Sequence, residues 1–350
     1  MKILIIGGTR FIGPHVVRAL VKSGHQVCVF HRGQSTADLP PGVERTLGDR
    51  RELPNFTDRF KRISPEVVID MIAYTEEDAL SLLRSVKGFV KRVLIVSSAD
   101  VYRAYDRWRK VYGGPLELVP LTEDAPLREA LYPYRDKAKG PADWLYRYEK
   151  ILVEKAALSD PDIEGTVLRL PFVYGPGDYQ HRIFEYLKRM DDKRPAILLD
   201  QKRAKWRWTW GYVEDVAAAI ACASTDERAA GRIYNVGERV SLTQAERVKA
   251  IAAAVGWNGR VLVLPESQMP DHLKAGVDFA QDLTFDTVRI RNELGYEEKI
   301  LPAEAMRRTV AWEREHPPEV IDPTAFDYTA EDAALKTVSP MSESLSPESG

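Results

Sequence analysis

The sequence predicts an α/β protein: a doubly wound, parallel sheet carrying a smaller C-terminal α/β lobe. Three observations predict it. Ile3-Leu4-Ile5-Ile6 is an unbroken aliphatic run, as a parallel strand covered on both faces requires. It turns through Gly7-Gly8-Thr9-Arg10-Phe11-Ile12-Gly13 into a segment with Ile12, Val16, Ala19 and Leu20 at helical spacing, closed by Gly24. Val27-Cys28-Val29-Phe30 then supplies a second apolar strand at the distance a βαβ unit needs.

This turn has the form of a dinucleotide site. Gly7 permits a tight turn, the Gly8 region lets backbone N–H groups approach a pyrophosphate, and Gly13 lets the helix pack close to the strand. The helix N-terminus favours the anion by roughly 0.3–1 kcal/mol. Pro14 lies in the first helical turn, where it is tolerated.

With 350 residues, 44% of them hydrophobic, the chain can bury a large core as one elaborated domain or two joined lobes. A net charge of −2 gives no global pull toward nucleic acid or membrane. Cys28 and Cys222 have neither metal spacing nor disulfide number, so no metal site is expected and a reducing compartment is. The N-terminal apolar run is too short for a signal peptide and no later run approaches a membrane span, so the expected location is cytoplasmic.

After the second strand stands His31-Arg32-Gly33, where an NAD site usually places an acidic residue on the ribose hydroxyls. Arg32 either clamps an adenosine 2′-phosphate, with Arg10 as a second cation, or stacks on adenine and faces water. Residues Glu44 to Leu47 read as a strand that brings Gly48-Asp49 toward the adenine edge. Val67 to Ala73 and Arg92 to Val96 read as two further buried strands, the latter delivering Ser97-Ser98 to the sheet's C-terminal end.

From Gly140-Pro141 through Trp144, Leu145, Leu152, Val153 and Ala156 the pattern is helical, which puts Tyr146 and Lys150 one turn apart on one face. A cation there favours the phenolate; moving a tyrosine from about 10 to about 7 requires roughly 4 kcal/mol of differential stabilisation. Further on, Thr243-x-x-Glu246 is a capping box for a helix ending at Gly256, Val261 to Leu264 reads as a strand, and Asp286 caps a helix ending at Gly295. From about Pro317 the pattern dissolves into Pro, Ser and Glu, and the last dozen or so residues are expected to be disordered.

Taken together, residues 1 to about 315 resemble an extended short-chain dehydrogenase/reductase of the NAD-dependent epimerase/dehydratase family, with a Rossmann-type sheet. The resemblance rests on the glycine turn, Ser97-Ser98-Ala99-Asp100-Val101-Tyr102, Tyr146/Lys150 with Glu154, Leu168-Arg169, Val173-Tyr174-Gly175-Pro176-Gly177, Tyr212-Val213-Glu214-Asp215-Val216, Tyr234-Asn235-Val236-Gly237 and Glu293-Leu294-Gly295-Tyr296. It implies a nucleotide-binding domain over residues 1–172, with segments at about 206–237 returning to it, a substrate lobe over 173–316, and an extended or disordered tail over 317–350. It also implies Ser98, Tyr146 and Lys150 as the catalytic triad.

The cofactor is expected to be NAD(P), with NADP slightly favoured by Arg32. The resulting contact set is Gly7, Thr9, Arg10, Phe11, Ile12, Gly13, Arg32, Asp49, Ala73, Tyr146, Lys150 and Pro171. Asp100, Tyr102, Phe172 and Arg207 are the expected substrate contacts, and a homodimer would be common for the family.

Departures from the family pattern bear on function. The Gly-Gly-Thr-Arg-Phe-Ile-Gly turn resembles a subset that includes plant chloroplast stem-loop RNA-binding proteins. Phe172 stands where an asparagine often contacts a nucleotide sugar. An inserted stretch between Ser98 and Tyr146 mixes Tyr102, Arg103, Tyr105, Arg107, Trp108, Arg109, Lys110 and Tyr112; it either caps the active site over an anionic or sugar substrate or stacks on nucleic acid. Trp206-Arg207-Trp208-Thr209-Trp210 has the same two readings, with edge-strand packing as a third. Ala99 takes the place of one member of the acidic pair that a dehydratase usually carries.

The leading expectation is a sugar or nucleotide-sugar epimerase working by tyrosine-mediated hydride transfer at a secondary alcohol. The alternatives are an NADP-dependent carbonyl reductase and a non-catalytic RNA-binding or regulatory protein; near-neutral charge disfavours nucleic acid as partner.

Overall fold

A computed structural model describes residues 1–35 and 37–337. Seven parallel strands form the central sheet: β1 (Lys2–Ile6), β2 (Gln26–His31), β3 (Glu44–Leu47), β4 (Val67–Asp70), β5 (Arg92–Ser98), β6 (Glu164–Leu170) and, later in the chain, β10 (Ile233–Asn235). Their order is β10-β6-β5-β4-β1-β2-β3, so the chain winds outward from β1 in both directions. The aliphatic run of β1 is completely buried from Ile3 to Ile6 because helices cover both faces.

Helices α1 (Ile12–Lys22) and α8 (Val213–Thr225) pack on one face, while α2 (Thr57–Ile63), α3 (Glu76–Val86) and α5 (Lys150–Ser159) pack on the other. Gly24 has φ 82° beyond the end of α1, as a C′ residue should. Since every strand of the sheet is parallel, the turns after β1, β2, β4, β5 and β6 all open at one edge.

The remaining elements form the second lobe. A short helix, α4 (Arg103–Trp108), begins the inserted stretch; β7 (Phe172–Tyr174) pairs with β9 (Trp210–Tyr212), and β8 (Ala196–Asp200) pairs with β11 (Arg260–Leu264). Around them lie α6 (Phe184–Asp191), α7 (Gln201–Lys205), α9 (Gln244–Val255), α10 (Val288–Leu294) and α11 (Pro302–Glu315). The expected capping box forms, with Thr243 and Glu246 exchanging bonds, and Gly256 and Gly295 end their helices in the left-handed region.

Two expectations are corrected. The chain beyond Pro317 is not an extended tail throughout: α12 (Tyr328–Thr337) docks on the second lobe. Its Glu331 is buried against Arg189 at 2.7 Å, Arg189 also donates to the Ala325 carbonyl at 2.9 Å, and Phe326 lies under the same guanidinium. Polar composition hid these three anchors. The last dozen residues, expected to be disordered, lie outside the described residues.

The second correction concerns the helix expected to open at Gly140-Pro141. Only a 3₁₀ turn forms over Trp144–Arg147; Tyr148 and Glu149 are extended, and α5 starts at Lys150. Glu149 causes the break. Its buried carboxylate accepts from the Ile151 N–H at 2.9 Å and the Tyr132 N–H at 2.6 Å and pairs with Arg128 at 3.0 Å, so it caps α5 instead of continuing a helix.

Candidate active site at the C-terminal edge of the sheet

The glycine turn has the shape a pyrophosphate needs. Gly7 and Gly8 have φ 103° and 72°, where a side chain would be strained, and a Cβ on Gly13 would come within 2.4 Å of the Gly8 backbone. Helix α1 therefore starts pressed against the turn, its first N–H groups aimed past Thr9, Arg10 and Phe11. The Thr9 hydroxyl accepts from Ser35 at 2.7 Å, tying the loop after β2 to the turn. Arg10 and Arg32 are both exposed, and neither forms an ion pair among the described residues. Asp49 caps the 3₁₀ segment after β3, and the Arg51 side chain and backbone bonded to its carboxylate hold it at about 2.

At the ends of β4 and β5 the site acquires its ionisable groups. Lys150 is buried at the N-terminus of α5, its ammonium donating to the Ala73 carbonyl at 2.6 Å and the Val96 carbonyl at 2.9 Å. An ammonium has three donors, so one remains for a ligand. Burial pulls this lysine down to about 8, against the upward pull of the Asp100 and Asp70 charges. Pro171, just after β6, packs against Gly211 and Gly237 and so fixes the rim of the site.

Tyr146 and Lys150 are not one turn apart on a helix, because Tyr146 belongs to the 3₁₀ turn. Its carbonyl accepts from Arg135 at 3.2 Å and its ring stacks under the same guanidinium. The phenol brought to the centre is that of Tyr148, which donates to Asp100 Oδ2 at 2.8 Å and lies close to the Ser98 side chain. The Lys150 ammonium stands 5.9 Å from the Tyr148 ring centre. Burial, then the Asp100 charge, push the Tyr148 phenol well above the usual tyrosine value. Ser98 is half-buried beside it and accepts from the Asp100 N–H at 3.2 Å.

Three of the four expected substrate contacts change meaning. Tyr102 is fully buried; its hydroxyl donates to Asn235 at 2.6 Å and accepts from Arg169 at 3.0 Å, in a core network with Glu154 and Ser97. It cannot touch a substrate. Arg207 is turned away from the aromatic cleft described next, donating to the Ser241 carbonyl at 2.7 Å with Glu246 at 3.7 Å, because alternation along the extended segment sends it opposite to Trp206 and Trp208. Asp100 is buried and spent on Tyr134 and Tyr148, yet its Oδ1 has no hydrogen-bond partner.

Phe172 keeps its place. It lines a cleft of about 360 Å³ with Trp108, Trp206, Trp208, Trp210 and Phe279. Trp108 of the inserted segment stacks on Trp206 with ring centres 5.7 Å apart, so the insertion does form part of the wall. Arg182, which carried no signal in the sequence, stacks over both Phe172 and Phe11 and links the cleft to the glycine turn. Three of the insertion's cations are engaged inside the protein, Arg103 with Glu117 at 2.6 Å, Arg107 with Asp278 at 2.6 Å, and Arg109 with the Pro133 carbonyl at 2.5 Å, while Lys110 is exposed and forms no ion pair among the described residues.

Among the described residues no group of His, Cys, Asp and Glu could hold a metal, and no helix is long and apolar enough to cross a membrane.

A parallel sheet with this turn and this lysine-bearing edge defines an oxidoreductase-type enzyme on a dinucleotide-binding fold. The chain belongs to the NAD dependent epimerase/dehydratase family, whose model matches residues 3–237.

The 2′-dehydrokanamycin reductase of Streptomyces kanamyceticus is 28% identical over 313 residues, 87% of this chain and 80% of that protein. The chloroplast stem-loop binding protein of 41 kDa b from Arabidopsis thaliana is 26% identical over 303 residues, 81% of this chain and 69% of that protein. Among solved structures, dTDP-glucose 4,6-dehydratase from Bacillus anthracis in complex with NAD superposes with a TM-score of 0.66 at 19% identity, covering 90% of this chain and 97% of that one.

Proposed function

We propose that this protein is an NAD(P)H-dependent reductase of a sugar-like ketone, and that Ser98, Tyr148 and Lys150 carry the reaction. The observation that carries this reading is the hydrogen bond from Tyr148 to Asp100 at 2.8 Å beside Ser98, which keeps the resting phenol protonated. Carbonyl reduction starts from a phenol, whereas alcohol oxidation, the first step of epimerisation, starts from a phenolate. The similarity to a reductase over 87% of the chain supports the same direction.

NAD(P)H supplies the hydride when bound. The glycine turn with Thr9, Arg10, Phe11, Ile12 and Gly13 would hold the pyrophosphate, Arg32 and Asp49 the adenosine, and Ala73, Pro171 and the free N–H of Lys150 the nicotinamide side. Ser98 donates to the substrate's carbonyl oxygen and Tyr148 transfers its proton there as negative charge develops. The Lys150 cation stabilises the phenolate left behind. The aromatic cleft beyond Phe172 offers flat apolar faces to the C–H surfaces of a sugar ring, with Arg182, Arg203 and Glu185 beside them for its polar groups. Sugar or nucleotide-sugar epimerisation is the second reading, favoured by the family match itself.

The test is a pair of substitutions assayed on a panel of keto sugars and nucleotide keto sugars with NADH and NADPH. Tyr148→Phe should abolish reduction while leaving cofactor affinity within about twofold, and Tyr146→Phe should retain most of the rate. The opposite pattern would return the role to Tyr146.

A further inference from the structure

The inserted segment does more than wall the cleft: it reaches the reaction centre through one residue. Tyr134 donates to Asp100 Oδ2 at 2.8 Å, the same oxygen, at the same distance, that takes the Tyr148 proton. The two rings are 5.1 Å apart. Behind Tyr134 stands the Tyr105 hydroxyl at 3.2 Å, and the Asp100 main-chain carbonyl accepts from Arg128 at 2.5 Å, so the carboxylate's backbone is anchored by the insertion as well. Its other oxygen, Oδ1, is buried with no donor. A carboxylate placed this way has its whole hydrogen-bonding capacity turned on two phenols.

The geometry points to Asp100, fixed by Tyr134 and Arg128 of the insertion, as a positioning residue that holds the resting Tyr148 in the phenol form. A phenolate at 2.8 Å from a carboxylate oxygen would lose its hydrogen bond and face a like charge in a buried site. Lys150 pulls the other way, but its ammonium is 5.9 Å from the Tyr148 ring and committed to two carbonyls. The other groups facing the phenol are Ser98 and Tyr105, with the Tyr74 ring 6.1 Å from that of Tyr148. Among these neighbours Asp100 is the one anion in hydrogen-bond contact, so its removal should release the lock.

The inference takes Tyr148 as the active phenol, and its test is independent of any substrate. Protein labelled with ¹³C at tyrosine Cζ is titrated by NMR, with the Tyr148 resonance assigned by its loss in Tyr148→Phe. In the wild type that resonance should keep its phenol position to the alkaline limit of folding. In Asp100→Asn, which preserves shape, the resonance should begin to move toward the phenolate position within the folded range, the direction a removed neighbouring charge gives. Asp100→Ser serves the same purpose if the amide does not fold. Tyr134→Phe keeps the charge and should leave Tyr148 a phenol.

An Asp100→Asn curve identical to the wild type would overturn the lock, as would a Tyr134→Phe protein shifting in step with it, the signature of simple repacking. A released phenol in a protein that reduces no ketone would sustain the lock and remove the reductase reading.

Discussion

Lys150 shows how a single ionisable group ties the site to pH. Its ammonium is present below about 8 and lost above it, so affinity for NADP(H) should fall as pH rises from 7 to 9 in the wild type. In Lys150→Met, binding should be weaker and flat over that range; calorimetry at several pH values checks both. The stability sign follows from the same shift. The folded value lies below that of free lysine, so the unfolded chain binds the proton more tightly between about 8 and about 10.5, and this residue's contribution makes stability rise with pH across that window. Arg32 carries a second expectation. Exposed and without an ion pair among the described residues, it is available to a 2′-phosphate, and Arg32→Ala should reduce the preference for NADP over NAD by about tenfold, one charge-assisted contact. An unchanged preference in competition binding would remove it from that role. The glycine turn and the position of Ser98 at the end of β5 were legible in the sequence because each follows from a local rule of turn or strand end. The position of Tyr146 outside α5 was not, since it depends on Glu149 meeting Arg128 from a segment some twenty residues away.

Elements that pack against the main sheet by periodicity were legible, while those held by isolated buried pairs were not. Capping box, glycine stops and most aliphatic strands formed where their patterns lay, although the strand expected over Val67 to Ala73 ends at Asp70. Helix α12 gave no such signal, because its docking depends on Arg189 and Glu331, 142 positions apart. Glu331→Ala would leave Arg189 buried without its counter-charge and should destabilise the protein by about 3–5 kcal/mol in denaturant unfolding. A loss below about 1 kcal/mol would mean that α12 does not stay docked in solution. The inserted segment shows the same limit: its mixture of rings and cations is ambiguous in sequence, and the partners that decide it, Asp278, Glu117 and Pro133, come from elsewhere in the chain or the far end of the insertion. With those three cations paired, fewer charges of the segment are left to neutralise a phosphate backbone.

At the scale of the whole molecule, a parallel sheet concentrates every functional loop on one edge, and a second lobe closes that edge with tryptophans. The sheet delivers the glycine turn, Ser98 and Lys150; the lobe delivers Phe172 and the Trp206-Trp208-Trp210 wall; the insertion joins them through Trp108 and Tyr134. On the function proposed above, this arrangement serves a net two-electron reduction and not an isomerisation that returns what it takes. The most direct measurement is mass spectrometry of the sugar product after incubation with NADPH deuterated at the transferred position. The account predicts one deuterium on the former carbonyl carbon for each NADPH consumed. A product isomeric with its substrate, formed without deuterium and without loss of reduced cofactor, would contradict it.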